Sequence, residues 1–488
     1  LRSAAQLDAR LAPKLNMDTQ QFDLVVIGGG PAGSSGAITA GVFGHRVALV
    51  EKEAEMGGAG LNSGTIPSKT LRETALALSG WRSRRLFGVD LSLRREATID
   101  DLMRHKEDVS AAERHLVEAK LRSVAVTSIH GKASFVDPHT IQIARRDGGE
   151  IRLQADKILI ATGSSPWRPP EFPFEDDRVH DSDELLHLKC LPKRLVVVGA
   201  GVIGSEYAGT FAALGVEVHL VDGRDALLSF LDCDISHALA EAMARNGVRF
   251  IWKEKIVKCD ISQPGDVVLT LSGGSTLAAD GVLVCAGRSS NTEELNLAAA
   301  GLEPGKRGLI PVNEHYRSIV PHIYAAGDVV GAPALAATGM EQARVAMCHA
   351  FDIKLKADLA PLLPTGIYTI PEVSSVGETE QSLKEKGVNY IIGRARYADL
   401  PRGRIVGDEV GFLKLLFRRE DMRLLGVHVL GEHATEVVHI GLIAMLADAT
   451  SDLFNRACFN YPTLGDLYKY ATYDALLRRD RPHHAMGK

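Results

Sequence analysis

Two stretches of this sequence have the residue types and spacing of a phosphate-binding turn. Gly28-Gly29-Gly30-Pro31-Ala32-Gly33 follows an apolar run at 22–27, and Gly199-Ala200-Gly201-Val202-Ile203-Gly204 follows another at 194–198. In such a G-x-G-x-x-G turn the first glycine makes the bend and the second lets the backbone approach a pyrophosphate. The third lets helix and strand pack closely. The helix that follows offers free N–H groups to phosphate oxygens. Each turn leads through a helical stretch to a second apolar run ending in an acid, Glu51 in one case and Asp222 in the other. The distance from first glycine to acid is 23 residues both times. An acid there can accept from the ribose hydroxyls of an adenosine, so the chemistry implied is the binding of two dinucleotides.

Two further signals bear on that chemistry. Asp222 suits the 2′-hydroxyl of NAD and repels the 2′-phosphate of NADP, whereas Arg224 can hold that phosphate bidentately. An acid and a base this close suit a site that uses both nucleotides; the plainer alternative is a turn with an exposed arginine. Ile323-Tyr324-Ala325-Ala326-Gly327-Asp328 delivers an acid at the end of an apolar strand, where ligands sit in open α/β folds. Its plainer reading is a turn aspartate capping the next helix.

The elements that must position these residues alternate between strand and helix. Residues 70–78 read as a helix, and 100–123 as a long helix with charge on several faces. Short strands are expected at 124–129, 133–136, 140–144 and 151–153, with turn signals at Gly131, Asp137-Pro138 and Gly148-Gly149. They lead into 157–160 and Ala161-Thr162-Gly163. A second meander near 267–271 and 276–277 leads to 281–286 and Gly287-Arg288. Past Pro361 the pattern becomes strands at 366–370, 390–396, 411–417 and 423–430, then an apolar helix at 435–447. The fold class is α/β, with two Rossmann-like dinucleotide-binding domains and a C-terminal α+β domain.

Composition narrows the function classes. The chain has 488 residues and a net charge of −5, which argues for no nucleic-acid or anionic-membrane partner. No apolar run approaches the roughly 20 residues of a transmembrane helix. The six cysteines are scattered, with no C-x-x-C or C-x4-C pair, so reduced thiols in a cytoplasm are expected. Residues 1–16 precede Met17, a natural start, and read as an added leader or alternative-start extension rather than a transit peptide.

One more stretch brings the motifs together: Gly57-Gly58-Ala59-Gly60-Leu61-Asn62-Ser63-Gly64-Thr65-Ile66-Pro67-Ser68-Lys69. With the two fingerprints, Asp222-Gly223-Arg224-Asp225, Leu228-Ser229-Phe230-Leu231-Asp232 and Phe459-Asn460-Tyr461-Pro462-Thr463-Leu464, it resembles the flavoprotein disulfide reductases over roughly residues 20–475. The likeness is greatest to their soluble (Si-specific) pyridine nucleotide transhydrogenase branch. The resemblance implies that Gly28, Gly30, Gly33 and Glu51 hold the ADP half of a non-covalent FAD, one per subunit. Asp328 would bind its ribityl or pyrophosphate end. Gly199, Gly201, Gly204, Asp222 and Arg224 would hold NAD(P). Further implied cofactor contacts are Lys52, Gly58, Thr65, Lys69, Ala133, Thr162, Gly163, Gly287, Arg288 and Gly327. The implied domains are an N-terminal extension (1–20), FAD-binding segments (21–160 and 287–360), an NAD(P)-binding domain (161–286) and a dimerisation domain (361–488).

Two departures from the reductases point the same way. Their redox cysteines are replaced by Gly60 and Thr65, and their histidine–glutamate dyad by Tyr461 and Asp466. Dithiol chemistry is therefore set aside. What the resemblance leaves is hydride transfer at flavin N5 between NADPH and NAD+, in ping-pong fashion. Lys69 is the cation implied near N5 and Glu206 its ion-pair partner, these two being the catalytic candidates. The alternatives are an NAD(P)H:quinone or dye reductase, or a nucleotide-binding relative that is not an enzyme. A homodimer or larger homo-oligomer is implied, with Tyr461 and Asp466 approaching the partner's flavin.

Overall fold

The computed structural model describes residues 19–79, 99–263 and 265–480. Residues 1–18 of the expected N-terminal extension lie outside them. The chain forms two compact units. The first holds the described residues up to Asn62, together with Ala112–Ser165 and Ser289–Leu359. The second holds the described residues from Ser63 to Ala111, Pro166–Arg288 and those from Ala360 on.

In the first unit β1 (Thr19–Ile27) is followed by α1 (Pro31–Val42), β2 (Val47–Glu51) and α2 (Gly58–Asn62). β1 pairs in parallel with β2 on one side (Ile27↔Val50) and with β5 (Glu150–Ile160) on the other, from Thr19↔Arg152 to Ile27↔Ile160. The strand Ile323–Ala325 adds in parallel to β5. Leu24, Val25 and Val26 are wholly buried, as a parallel strand covered on both faces requires. These strands end together, so the turns at Gly28, Ala161 and Ala326 leave from one edge of the sheet.

Two expected breaks are absent. β3 (Thr127–Asp137) runs unbroken through Gly131, and β5 runs unbroken where two strands were expected. Gly131 is a close-approach glycine: a Cβ there would lie 2.5 Å from Ile143 Cγ2 and 2.7 Å from the Ala144 carbonyl oxygen of β4 (Thr140–Arg145). β5 changes environment midway. Its first half alternates buried and exposed residues in the antiparallel meander, and its last three residues are buried on both faces.

The second unit repeats the arrangement around the parallel strands Arg194–Val198, Glu217–Asp222 and Gly281–Val284, with the helix Val202–Ala213. The strand Val248–Trp252, which the sequence pattern did not reveal, extends this sheet. α3 (Thr65–Leu78) belongs to this unit and sends Leu71 into its core. The helix starts five residues earlier than expected. Pro67 is its third residue, where a backbone N–H has no helical acceptor, so the ring removes no helical hydrogen bond.

Past residue 360 a five-stranded antiparallel sheet carries the helices Ala434–Leu446 and Asp466–Asp480. Lys414, with no exposed surface, ties this part to the helix Cys233–Arg245 through Asp232 at 2.7 Å and Asp234 at 2.6 Å. The side chains of Ile443, Leu446, Tyr470, Tyr473 and Leu477 remain exposed.

Candidate active site

The first fingerprint is built from close contacts that only glycine permits. Gly28 has φ +107°, and a Cβ on it would lie 2.3 Å from the Ala161 carbonyl oxygen. A Cβ on Gly33 would lie 1.8 Å from the Gly28 carbonyl oxygen. Gly30 differs: its φ of −70° suits any residue, and its Cβ direction meets only Gly58 Cα at 3.8 Å. Gly30 is also the N-cap of α1 with no side-chain cap, so the first turn leaves its N–H groups uncapped by any side chain. Glu51, almost wholly buried, braces the turn by accepting from Gly29 N–H at 2.8 Å and Glu53 N–H at 2.9 Å.

Around this cradle the other expected residues take different places. Gly58 lies against Gly30, and Gly57 N–H donates to the Gly29 carbonyl at 3.0 Å. Thr162 and Gly163 follow the end of β5, held through their carbonyls by Asn291. Thr162 Oγ1 is buried without a partner among the described residues, and Gly163 (φ +68°) has open space at its Cβ position. Gly327 (φ +81°) donates its N–H to Gln342, and Asp328 accepts from Ser164 Oγ at 2.7 Å. Asp328 is the first residue of a short 3-10 helix whose N-cap is Gly327, and its carboxylate does not cap that helix. Ala133 packs its side chain into the core of β3, so only its backbone is available to a ligand. Lys52 is exposed beside Glu53.

An open glycine cradle at an uncapped helix start, a buried acid beside it and an orphaned hydroxyl at the neighbouring strand end fit a dinucleotide such as FAD. Asn291, Gln342 and Ser164, which hold its loops, carried no motif and were not foreseen.

The second fingerprint repeats the glycine geometry and the main-chain bonds of the first. Gly199 has φ +105°, with its Cβ direction 2.5 Å from the Cys285 carbonyl oxygen, and the Gly204 direction is 2.0 Å from the Gly199 oxygen. Gly201 has open space at its Cβ position. Asp222 accepts from Ala200 N–H at 2.6 Å and from Arg224 N–H at 2.8 Å. Beyond that it receives the Arg224 guanidinium bidentately, Nε at 2.8 Å and Nη2 at 2.7 Å. Burial raises the Asp222 pKa, but the Arg224 side chain and the Arg224 and Ala200 N–H groups outweigh it and hold the carboxyl at about 2. Gly287 (φ +112°) accepts from Trp167 N–H, and Arg288 faces Asp183 at 3.5 Å.

Also in the second unit, Lys69 Nζ on α3 donates to Glu206 Oε2 at 2.6 Å. Glu206 is almost wholly buried on the helix Val202–Ala213, and its Oε1 accepts from Tyr368 N–H at 2.8 Å. Thr65, four residues before Lys69, is exposed at the start of α3. Gly60 lies on α2, where a Cβ would come 2.5 Å from Pro31 Cγ. Tyr461 is 69 % exposed, and Asp466 opens the helix Asp466–Asp480. Among the described residues no helix is long and apolar enough to cross a membrane.

Comparison with known proteins agrees with this geometry. Residues 22–350 match the pyridine nucleotide-disulphide oxidoreductase family and residues 363–472 its dimerisation domain, which supports a homodimer. The soluble pyridine nucleotide transhydrogenase of Mycobacterium bovis is 44% identical over 460 residues, covering 94% of this chain and 97% of its own. That of Colwellia psychrerythraea is 40% identical over 460 residues, covering 94% and 98%. Among solved structures, LpdA from Mycobacterium tuberculosis superposes with a TM-score of 0.85 at 26% identity, covering 93% of this chain and 99% of that one. The flavoprotein disulfide reductase RclA from Escherichia coli gives 0.84 at 27% identity, covering 93% and 100%. Two fingerprints with matching hydrogen bonds, a dimerisation domain and these relatives lead to one conclusion: the chain belongs to the pyridine nucleotide-disulphide oxidoreductase family, on the branch of the soluble pyridine nucleotide transhydrogenases.

Proposed function

We propose that this chain transfers hydride between NADPH and NAD+ in a ping-pong sequence, with one non-covalent FAD per subunit and both nucleotides using the second fingerprint in turn. The observation that carries this reading is the Asp222–Arg224 pair, an acid and a base in mutual contact at the nucleotide-selecting position. FAD, when bound, supplies a ring nitrogen that accepts and returns a hydride. The chain's own residues do the rest. Glu51 and the start of α1 hold the ADP half. NADPH draws the Arg224 guanidinium onto its 2′-phosphate, and NAD+ places a ribose hydroxyl on Asp222 where a guanidinium N–H had been. Lys69, held by Glu206, supplies positive charge where negative charge develops during transfer. Gly60 and Thr65 put no thiol in the loop, so no step makes or breaks a disulfide.

The six cysteines are all free, which fits the cytoplasm as the compartment we infer. Anaerobic NADPH is expected to bleach the flavin absorbance with no long-wavelength charge-transfer band, and NAD+ to restore it. If NAD+ leaves the flavin bleached while a quinone restores it, the activity is that of a quinone reductase and the transhydrogenase reading is lost.

A further inference from the structure

Lys69 has a flexible four-carbon stem, and an ion pair at one oxygen leaves such an ammonium free to swing. Here it does not stand on Glu206 alone. Its Nζ lies 5.0 Å from the centroid of the Tyr368 ring, within the range of a cation–π contact, and 3.3 Å from Ser68 Oγ. Tyr368 also donates its backbone N–H to the other oxygen of Glu206. One residue therefore grips both members of the pair, the cation through its ring and the anion through its main chain.

The ring is itself held. Thr435, in the first turn of the helix Ala434–Leu446, stands beside its hydroxyl. Thr435 Oγ1 donates to Glu372 at 3.0 Å, and Glu372 forms an ion pair with Arg72 at 3.1 Å. Arg72 is buried on α3 three residues after Lys69, and also donates to the Thr369 carbonyl at 3.1 Å. The contacts close a loop: α3 is fastened to the segment from Tyr368 to Glu372 at two points one helical turn apart.

Resting on the reading of Lys69 given above, we propose that Tyr368 is a positioning residue of the hydride-transfer site. Its ring fixes the direction of the Lys69 ammonium, and its N–H fixes the Glu206 carboxylate that pairs with it. The backbone bond survives a change to any residue but proline, whereas the ring survives only an aromatic replacement.

The test compares Tyr368→Leu with Tyr368→Phe, and Lys69→Met as the reference, in the FAD-loaded enzyme. Tyr368→Leu is expected to lower kcat about tenfold with KM for NADPH within about twofold, and to make the two-electron midpoint potential of the flavin more negative. Tyr368→Phe keeps the ring and is expected within about twofold of the parent on each measure. A flavin-independent readout is the acetylation rate of Lys69 in apoprotein, scaled to exposed Lys253 and read by mass spectrometry. It should rise about threefold in Tyr368→Leu and stay put in Tyr368→Phe. If the leucine variant does not fold, Tyr368→Met is read in its place. A leucine variant with parental potential and labelling overturns the proposal, as does a phenylalanine variant that matches leucine. If Lys69→Met leaves the potential unchanged, the reading of Lys69 fails instead, while the labelling still decides whether Tyr368 holds it.

Discussion

The two fingerprint turns are the same structure built twice, and they part company at one residue. Both use a left-handed first glycine under a neighbouring carbonyl, both leave room for a side chain at the second glycine, and both brace the turn with a buried acid. The Glu51 carboxylate receives two main-chain N–H groups, and among the described residues no cation is paired with it. The Asp222 carboxylate receives two as well, and then an arginine that, on the proposed function, must let go before a nucleotide can use it. A resident cofactor suits the first arrangement, since its site is always ready. A substrate that comes and goes in two forms suits the second, where selection is a contest for one carboxylate.

The similarity can be broken at the third glycine. Gly33→Ala and Gly204→Ala each drive a methyl to about 2 Å from a backbone oxygen. Each should cost about 3 kcal/mol or more in chemical denaturation, the upper range of overpacking. Gly30→Ala and Gly201→Ala, with room for the methyl and ordinary φ values, should leave apoprotein stability within about 0.5 kcal/mol. They should instead weaken the ligand of their own turn, FAD content in the first case and nucleotide KM in the second. Equal destabilisation by both classes would end the distinction between packing and binding glycines.

The difference can be removed with Arg224→Ala, which makes the second site a copy of the first. Losing a charged bidentate contact should cost NADPH about 2–3 kcal/mol, roughly 30- to 150-fold in kcat/KM. The freed Asp222 should lower KM for NADH about threefold. A variant that loses both nucleotides alike would show that Arg224 only braces the turn.

The smallest effect is in acid. The native pKa of Asp222, about 2, lies below its ordinary value of 3.8. The pairing therefore contributes stability in full above the ordinary value, and loses it as pH falls through the native one. The stability gap between parent and Asp222→Asn should be flat from about pH 8 to about pH 5, narrow below about pH 4 and close near pH 2. A gap that already changes near neutrality would mean another group carries it.

The parts legible in the sequence are those whose chemistry is local. A glycine forced left-handed beneath a carbonyl has no substitute, so both turns and both terminal acids could be read from spacing. Gly131 misled because glycine marks a turn and a close strand crossing equally well. The start of α3 was missed because Pro67 reads as a helix breaker, and breaks nothing in a first turn. Tyr368 could not have been found, since it meets Lys69 and Glu206 from far along the chain and sits in an unremarkable strand end. Among the residues of the proposed hydride-transfer site, the long-range ones were read by resemblance or not at all.

Gly60 sets what its loop can be made to carry. A side chain at that position must share space with the Pro31 ring, which opens the helix at the first dinucleotide turn. A cysteine placed there by a single substitution would meet that steric penalty and would find a threonine, not a thiol, at position 65. A dithiol in this loop therefore demands at least two substitutions and a local repacking, and neither substitution alone supplies a pair of sulfurs to oxidise.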